Sequence, residues 1–176
     1  MSDEIKDGWR DSDRRQVIED LGREPRGVVG VAARCKCGRP LVVTTAPRLP
    51  DGTPFPTTFY LTSPVLTAGC STLEAEHLMV SYNQMLADDS GLARRYADAH
   101  EDYLRRRSEL GEVEEIAGIS AGGMPGRVKC LHALVGHSLA AGPGVNPIGD
   151  MALEELRQRG IWSVDECRCK TNGEAS

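Results

Sequence analysis

The most constraining feature of the chain is a pair of β-branched runs on either side of a tight turn that contains glycine and proline. The runs are GVVGVAAR (27–34) and LVVTTAP (41–47), and CKCGRP separates them. β-Branched residues favour strands, and glycine and proline mark turns, so this pattern predicts a β-hairpin. Four prolines between Pro47 and Pro56 exclude a helix there, and TTFYL (57–61) predicts a third short strand.

Capping residues predict where helices begin on both sides of this sheet. Ser12 is typical of a helix N-cap and predicts a short first helix. Ser63 followed by Pro64 predicts the start of a second helical segment, because proline is favoured at the first helical position. A capping pattern inside this segment predicts two joined helices, with a break near Gly69 or His77.

Further helices are predicted in the second half of the chain. Apolar residues repeat on one face between residues 90 and 110, which predicts an amphipathic surface helix. Pro125 is predicted to begin a helix that runs to about Ala140, and Asp150 to cap a last short helix. These elements together predict an α+β fold, in which a small antiparallel sheet of about three strands packs with four to six helices.

The length of 176 residues fits one domain with one hydrophobic core. We find no internal repeat and no composition change that would mark a domain boundary. The predicted domain therefore spans residues 12–165, preceded by a flexible N-terminus at 1–11. Residues 166–176 are predicted to form a partly disordered tail that carries a Cys-x-Cys pair.

The charge balance argues against a nucleic-acid partner. The net charge is −5, whereas binding to phosphate backbones needs clustered, uncompensated lysine and arginine. The basic run Arg105–Arg107 is bracketed by acidic residues, which predicts a solvated helix face. No apolar run is long enough for a membrane span, and the N-terminal residues do not resemble a signal peptide, so a cytoplasmic location is predicted.

Six cysteines in a reducing compartment are expected to be thiols or metal ligands, because disulfides are rare there. Four of them form two Cys-x-Cys pairs, Cys35 with Cys37 and Cys167 with Cys169. If folding brought the pairs together, four sulfurs would suit a structural zinc ion or, as an alternative, an iron–sulfur cluster. Reduced thiols without a metal are the other interpretation.

The glycine-rich stretch before the predicted fifth helical segment is a candidate anion site. Backbone N–H groups at a helix N-terminus attract anions, and the nearby glycines and cations would help. The candidate residues are Gly122, Gly123, Gly126, Arg127 and Lys129. A phosphorylated small molecule or polyphosphate would be the ligand of an enzyme or sensor, with His132 as a candidate acid or base.

Cysteine and histidine within the same segment are alternative metal ligands. Cys130 and one histidine, His132 or His137, would complete a site begun by Cys35 and Cys37 if the helix starts late or bends at Gly136. Their spacing along one regular helix is unfavourable for a shared ion, since Cys130 and His137 are separated by about 10.5 Å of helical rise. The simpler interpretation buries the apolar residues of this helix, with the cysteine as a small hydrophobe and one histidine hydrogen-bonded in the core.

Three blocks of the sequence resemble one bacterial family. They are TAPRLPDGTPFPTTFYLT (45–62), the helical segment that ends in AHEDYLRRR, and EIAGISAGGMPGRVKCLHALVGHSLAAGPGVNPIGD (115–150). On these blocks the chain resembles the actinobacterial domain-of-unknown-function family 501 over roughly residues 15 to 165. The resemblance implies no activity, substrate or catalytic residue.

Members of that family are often encoded near a septum-formation initiator and an exopolyphosphatase. This context implies polyphosphate or cell-division roles as expectations. An adaptor that uses the charged helix at residues 90–110 is the corresponding hypothesis for a protein partner.

Overall fold

A computed structural model describes residues 8–169, and the expectations for residues 1–7 and 170–176 lie outside the described residues. The described part contains three strands and six α-helices, which confirms the single-domain α+β fold. In chain order the elements are α1 (Asp11–Leu21), β1 (Val28–Arg34), β2 (Pro40–Thr45), β3 (Phe59–Leu61), α2 (Pro64–Ala75), α3 (Leu78–Asp88), α4 (Ser90–Ser108), α5 (Leu131–Ala141) and α6 (Pro147–Gln158).

The sheet is antiparallel with β2 in the centre, as the hairpin pattern predicts. Val43 pairs with Val31 of β1 on one side and with Tyr60 of β3 on the other. The hairpin turn is closed by the Cys35 N–H, which donates to the Arg39 carbonyl at 2.8 Å, and Gly38 adopts a positive φ of 91° inside it. Glycine is favoured at such a position because it lacks a Cβ atom.

Helix α1 packs beside the hairpin turn, where Arg34 and Arg39 form ion pairs with its acidic residues. Arg34 makes two hydrogen bonds with the Asp13 carboxylate, at 2.6 and 2.9 Å. Arg39 bonds the Asp20 carboxylate at 2.7 Å on the other side of the turn. The hydrogen bond from Arg34 holds the pKa of buried Asp13 below its usual value. These pairs fix the turn that carries Cys35 and Cys37.

Helix α5 is the centre of the core, packed between the sheet and α6. Two glycines allow this close approach. A Cβ atom on Gly136 would lie 2.7 Å from the Phe59 carbonyl oxygen of β3, and one on Gly149 of α6 would overlap the Leu134 carbonyl oxygen. The backbones therefore approach more closely than any larger residue would permit.

His137 of α5 is the histidine that the simpler sequence interpretation places in the core. Its side chain is fully buried and lies parallel to the Phe59 ring, with centroids 5.9 Å apart. Burial lowers its pKa, so the ring is neutral at pH 7. Nε2–H then donates to Asp102 at 2.8 Å, and Nδ1 accepts from the Asn146 amide at 3.1 Å. Both ring nitrogens are thus engaged within the core.

Three helix boundaries differ from the sequence prediction. Helix α1 begins at Asp11, so Ser12 lies inside it and does not cap it. Helix α6 begins at Pro147 and is capped by Asn146, which accepts the Gly149 N–H. Asp150 is not the cap, because its carboxylate accepts the Gly144 N–H in the preceding loop.

The largest difference concerns the start of α5. Pro125 does not begin the helix, which starts at Leu131 with Cys130 as its N-cap. Gly122 and Gly123 have φ values of 68° and 94°, outside the helical region. The Gly122 carbonyl accepts the amides of both Lys129 and Cys130, at 2.7 and 3.3 Å, which closes residues 122–130 into a loop.

The break predicted near Gly69 or His77 occurs at His77. This residue separates α2 from α3 and adopts a positive φ of 63°.

The solvated face predicted for Arg105–Arg107 is wrong for Arg107, which is buried and donates to the carbonyls of Pro56 and Ile116. Among residues 8–169, no helix is both long enough and apolar enough to cross a membrane.

Candidate metal centre

The first Cys-x-Cys pair lies at the tip of the β1–β2 hairpin. Cys35 is buried at the end of β1, and Cys37 is exposed two residues later in the turn. The Cys35 carbonyl accepts the Gly38 N–H at 2.8 Å, so the turn is held by its own backbone. Both sulfurs are therefore carried by a short segment that the sheet and α1 keep in place.

The second pair lies on the C-terminal arm, residues 160–169, which follows α6. Trp162 anchors this arm because its side chain is buried in the core. The Glu166 N–H donates to the Ser163 carbonyl at 3.3 Å, which turns the chain toward the hairpin. Lys36 Nζ then donates to the Asp165 carbonyl at 3.0 Å, across 129 residues of sequence. The arm and the hairpin tip are thus in direct contact.

This contact brings the two pairs together as the thiol cluster, defined as Cys35, Cys37, Cys167 and Cys169. Their four Sγ atoms all lie within 4.8 Å of one another. Zinc–sulfur bonds of about 2.3 Å place tetrahedral sulfur ligands roughly 3.8 Å apart. The cluster matches this arrangement after small side-chain movements, and it combines a buried inner sulfur with two exposed outer ones.

The thiols of the cluster influence one another's ionisation. Burial raises the pKa of Cys35, and burial together with the neighbouring sulfurs raises the pKa of Cys169 well above its ordinary value. At Cys37 burial opposes ionisation, but the Arg39 backbone amide and the neighbouring thiols outweigh it and lower the pKa. Because thiolates this close repel, the fully ionised cluster needs a cation to neutralise it.

A second group of donors lies at the start of α5, and we call it the α2–α5 cluster. It consists of Glu74, Cys130 and His132, whose donor atoms all lie within 4.8 Å of one another. His132 Nδ1 lies 3.1 Å from Glu74 Oε1 and 3.9 Å from Cys130 Sγ. Glu74 also accepts the Leu131 N–H at 2.7 Å, which satisfies one free amide in the first turn of α5.

The α2–α5 cluster shifts the ionisation of two of its members. The hydrogen bond with Cys130 and then the charge of Glu74 raise the pKa of His132 to about 9. Burial opposes ionisation of Cys130, but His132 and the Ala133 amide outweigh it and lower the pKa of that thiol. In the absence of a metal the ring of His132 is therefore an imidazolium at pH 7.

The alternative ligands do not join the thiol cluster. Cys130 and His132 belong to the separate α2–α5 cluster, and His137 is hydrogen-bonded in the core. The mixed site is prevented because Cys130 caps α5 next to the C-terminal turn of α2, where Glu74 is its neighbour. Glu74 was missed from the sequence, although Thr67, Ser71 and Glu74 form a polar stripe at helical spacing that could have drawn attention to it.

The candidate anion residues lie in the loop of residues 122–130. Gly122, Gly123, Gly126, Arg127 and Lys129 all precede α5, so none of them belongs to a helix N-terminus. The amide of Leu131, the first residue of the helix, is already bonded to the Glu74 carboxylate. Anion binding at this loop stays a prediction. The helix N-terminus on which that prediction was based begins only after the loop, at Leu131.

Comparison with known proteins gives one match. A protein-family model described as "Protein of unknown function (DUF501)" matches residues 31–154. This range includes Cys35, Cys37 and the whole α2–α5 cluster, and it ends before the second Cys-x-Cys pair. No curated protein and no solved structure matches the chain. Because the match covers well over half of the sequence, the chain belongs to the family of proteins of unknown function DUF501.

Proposed function

We propose that the protein binds a structural zinc ion through the thiol cluster and that this ion fixes the C-terminal arm to the hairpin tip. The observation that carries the proposal is the convergence of four sulfur atoms within 4.8 Å from two distant parts of the sequence. Four cysteines in such an arrangement are the donor set of closed, structural zinc sites.

The contacts around the cluster support a metal over unrelated thiols. Lys36 and Arg168 stand between the paired cysteines, and each is engaged, Lys36 with the Asp165 carbonyl and Arg168 with Glu166 at 2.6 Å. Arg34 and Arg39 on either side of the turn are paired with α1. The turn and the arm are thus positioned from outside the cluster, which lowers the ordering cost of metal binding.

The separation of the sulfurs favours one ion over a multi-iron cluster. An iron–sulfur cluster inserts several irons and sulfides between its cysteines, so its ligands must stand further apart than the ligands of one ion. Zinc suits four thiolates, and with four protein ligands no position is left for water or substrate. The proposed role of the zinc ion is therefore structural: it would cross-link the hairpin tip and the C-terminal arm.

Metal content of protein purified without chelators tests the proposal. We expect Cys167→Ser to lose about one equivalent of zinc per chain relative to wild type, because a tetrahedral site loses most of its affinity with one ligand removed. Cys70→Ala is the matched control, since Cys70 lies in the core and outside both clusters. Iron in place of zinc, or equal zinc in Cys167→Ser and wild type, would contradict the proposal.

A further inference from the structure

The α2–α5 cluster carries a second inference, independent of the thiol cluster. We infer that Glu74, Cys130 and His132 form a second zinc site, of the open type that keeps its fourth position for an exchangeable small ligand. Thiolate, imidazole and carboxylate are the three classes of side chain that zinc binds in proteins. Three protein ligands with one free position are the pattern of reactive zinc sites, whereas four close the ion off.

The distances within the cluster fit one tetrahedral ion. With zinc bonds of about 2.0 Å to nitrogen and oxygen and about 2.3 Å to sulfur, tetrahedral ligand atoms lie roughly 3.3 to 3.6 Å apart. His132 Nδ1 lies 3.1 Å from Glu74 Oε1 and 3.9 Å from Cys130 Sγ, within a few tenths of an ångström of these separations. The Glu74 carboxylate and Cys130 Sγ lie within 4.8 Å of each other, so small side-chain movements would complete the geometry.

The ring of His132 is oriented as a ligand ring should be. Its other nitrogen, Nε2, lies 3.2 Å from the Thr67 carbonyl and 3.2 Å from the Ser71 hydroxyl, one turn apart on α2. The Thr67 carbonyl and the Glu74 carboxylate can only accept, so in the metal-free ring Nε2–H donates to Thr67 and Nδ1–H donates to Glu74. Zinc would take the place of the proton on Nδ1, while Nε2 keeps its hydrogen bond to Thr67. Such outer hydrogen bonds fix the tautomer of zinc-bound histidines.

The carboxylate and the thiol are also held from outside. Glu74 Oε1 accepts the Leu131 N–H at 2.7 Å, and Cys130 is the N-cap of α5, close to the Ala133 amide. All three ligands thus stand on two packed helices, α2 and the start of α5. Sites supported by rigid elements keep their geometry better than sites on loops.

The cluster is open to solvent on one side. The side chains of His132 and Glu74 are 28% and 25% exposed. A fourth ligand such as water or a small anion could reach the ion from this side, whereas the thiol cluster offers four sulfurs and no open position. A small ligand that binds the metal should therefore affect the α2–α5 cluster and not the thiol cluster.

Zinc stoichiometry and cobalt spectra test the inference. We expect metal-free wild type to bind about two equivalents of zinc, His132→Gln about one, and His77→Asn, an exposed histidine in a turn between helices, about two. Glu74→Gln provides a second variant, because its amide oxygen still accepts the Leu131 N–H while the charged ligand is lost. Its expected content is also about one equivalent.

Cobalt(II) in place of zinc reports the open position. Adding azide to cobalt-loaded Cys167→Ser protein, in which the α2–α5 cluster is the remaining site, is expected to change the visible spectrum, because azide replaces the exchangeable ligand. Unchanged metal content in both His132→Gln and Glu74→Gln, or a cobalt spectrum indifferent to azide, would overturn the inference. Loss of zinc in Cys167→Ser alone would leave the thiol-cluster proposal standing, so the two can fail separately.

Discussion

Gly149→Ala is expected to lower the free energy of unfolding by about 3 kcal/mol, which lowers Tm by roughly 10 °C for a chain of this size. The added Cβ would overlap the Leu134 carbonyl oxygen and the Ser138 hydroxyl of α5. A backbone carbonyl cannot rotate away as a flexible side chain can, so α5 and α6 must separate. Their separation exposes buried Leu134 and Ile148 and outweighs the better helix propensity of alanine.

Gly126→Ala is the matched control for this change. A Cβ at Gly126 meets nothing within 4 Å, so its stability should stay within about 0.5 kcal/mol of wild type. Urea denaturation of both variants gives the comparison. A Gly149→Ala protein as stable as the Gly126→Ala protein would show that the two helices do not pack as closely as described.

Removal of the metal is expected to release the C-terminal arm while the core stays folded. A site saturated about 1,000-fold above its Kd contributes about 4 kcal/mol to stability. In Cys130→Ser protein, in which the thiol cluster is the remaining site, a chelator should therefore lower Tm by roughly 10 °C. The far-ultraviolet circular dichroism at 25 °C should barely change, because the helices and the sheet are packed chiefly through aliphatic and aromatic residues, and Cys35 is the one member of the thiol cluster buried in that core.

Trypsin offers a local measurement of this release, because each Cys-x-Cys pair has a trypsin site at its centre, Lys36 in one and Arg168 in the other. We expect cleavage after Arg168 to become at least about tenfold faster when the metal is removed, since proteolysis follows the population of the open arm. Cleavage after exposed Arg26, which precedes β1 at the end of the strand opposite the hairpin turn, is the internal control. Equal rates after Arg168 with and without chelator would contradict a metal-held arm.

The parts of the fold that follow from local chemistry could be predicted from the sequence. The hairpin follows from its β-branched runs, and the start of α2 follows from Ser63 and Pro64. The Ser63 hydroxyl caps this helix by accepting the Leu66 N–H at 3.3 Å. The start of α5 could not be predicted in the same way. It depends on the Gly122 carbonyl and on the Glu74 carboxylate, which accepts the N–H of Leu131, 57 residues later in the sequence.

The candidate sites show the same division. The two Cys-x-Cys pairs identify donors, but their convergence depends on Trp162 burying the arm and on Lys36 reaching the Asp165 carbonyl. Neither contact has a signature in the sequence. Cys130 and His132 were candidates from their residue types alone, and Glu74 joins them through packing between α2 and α5, which spacing along the chain does not reveal.

X-ray absorption at the zinc edge would identify the atoms bound to the metal in the thiol cluster. Cys130→Ser protein loaded with one equivalent of zinc is the sample to use, because this substitution removes the sulfur of the α2–α5 cluster and leaves the thiol cluster intact. We expect four sulfur neighbours at about 2.3 Å from the zinc ion. A first shell containing nitrogen or oxygen, or fewer than four sulfurs, would contradict a zinc ion held by Cys35, Cys37, Cys167 and Cys169.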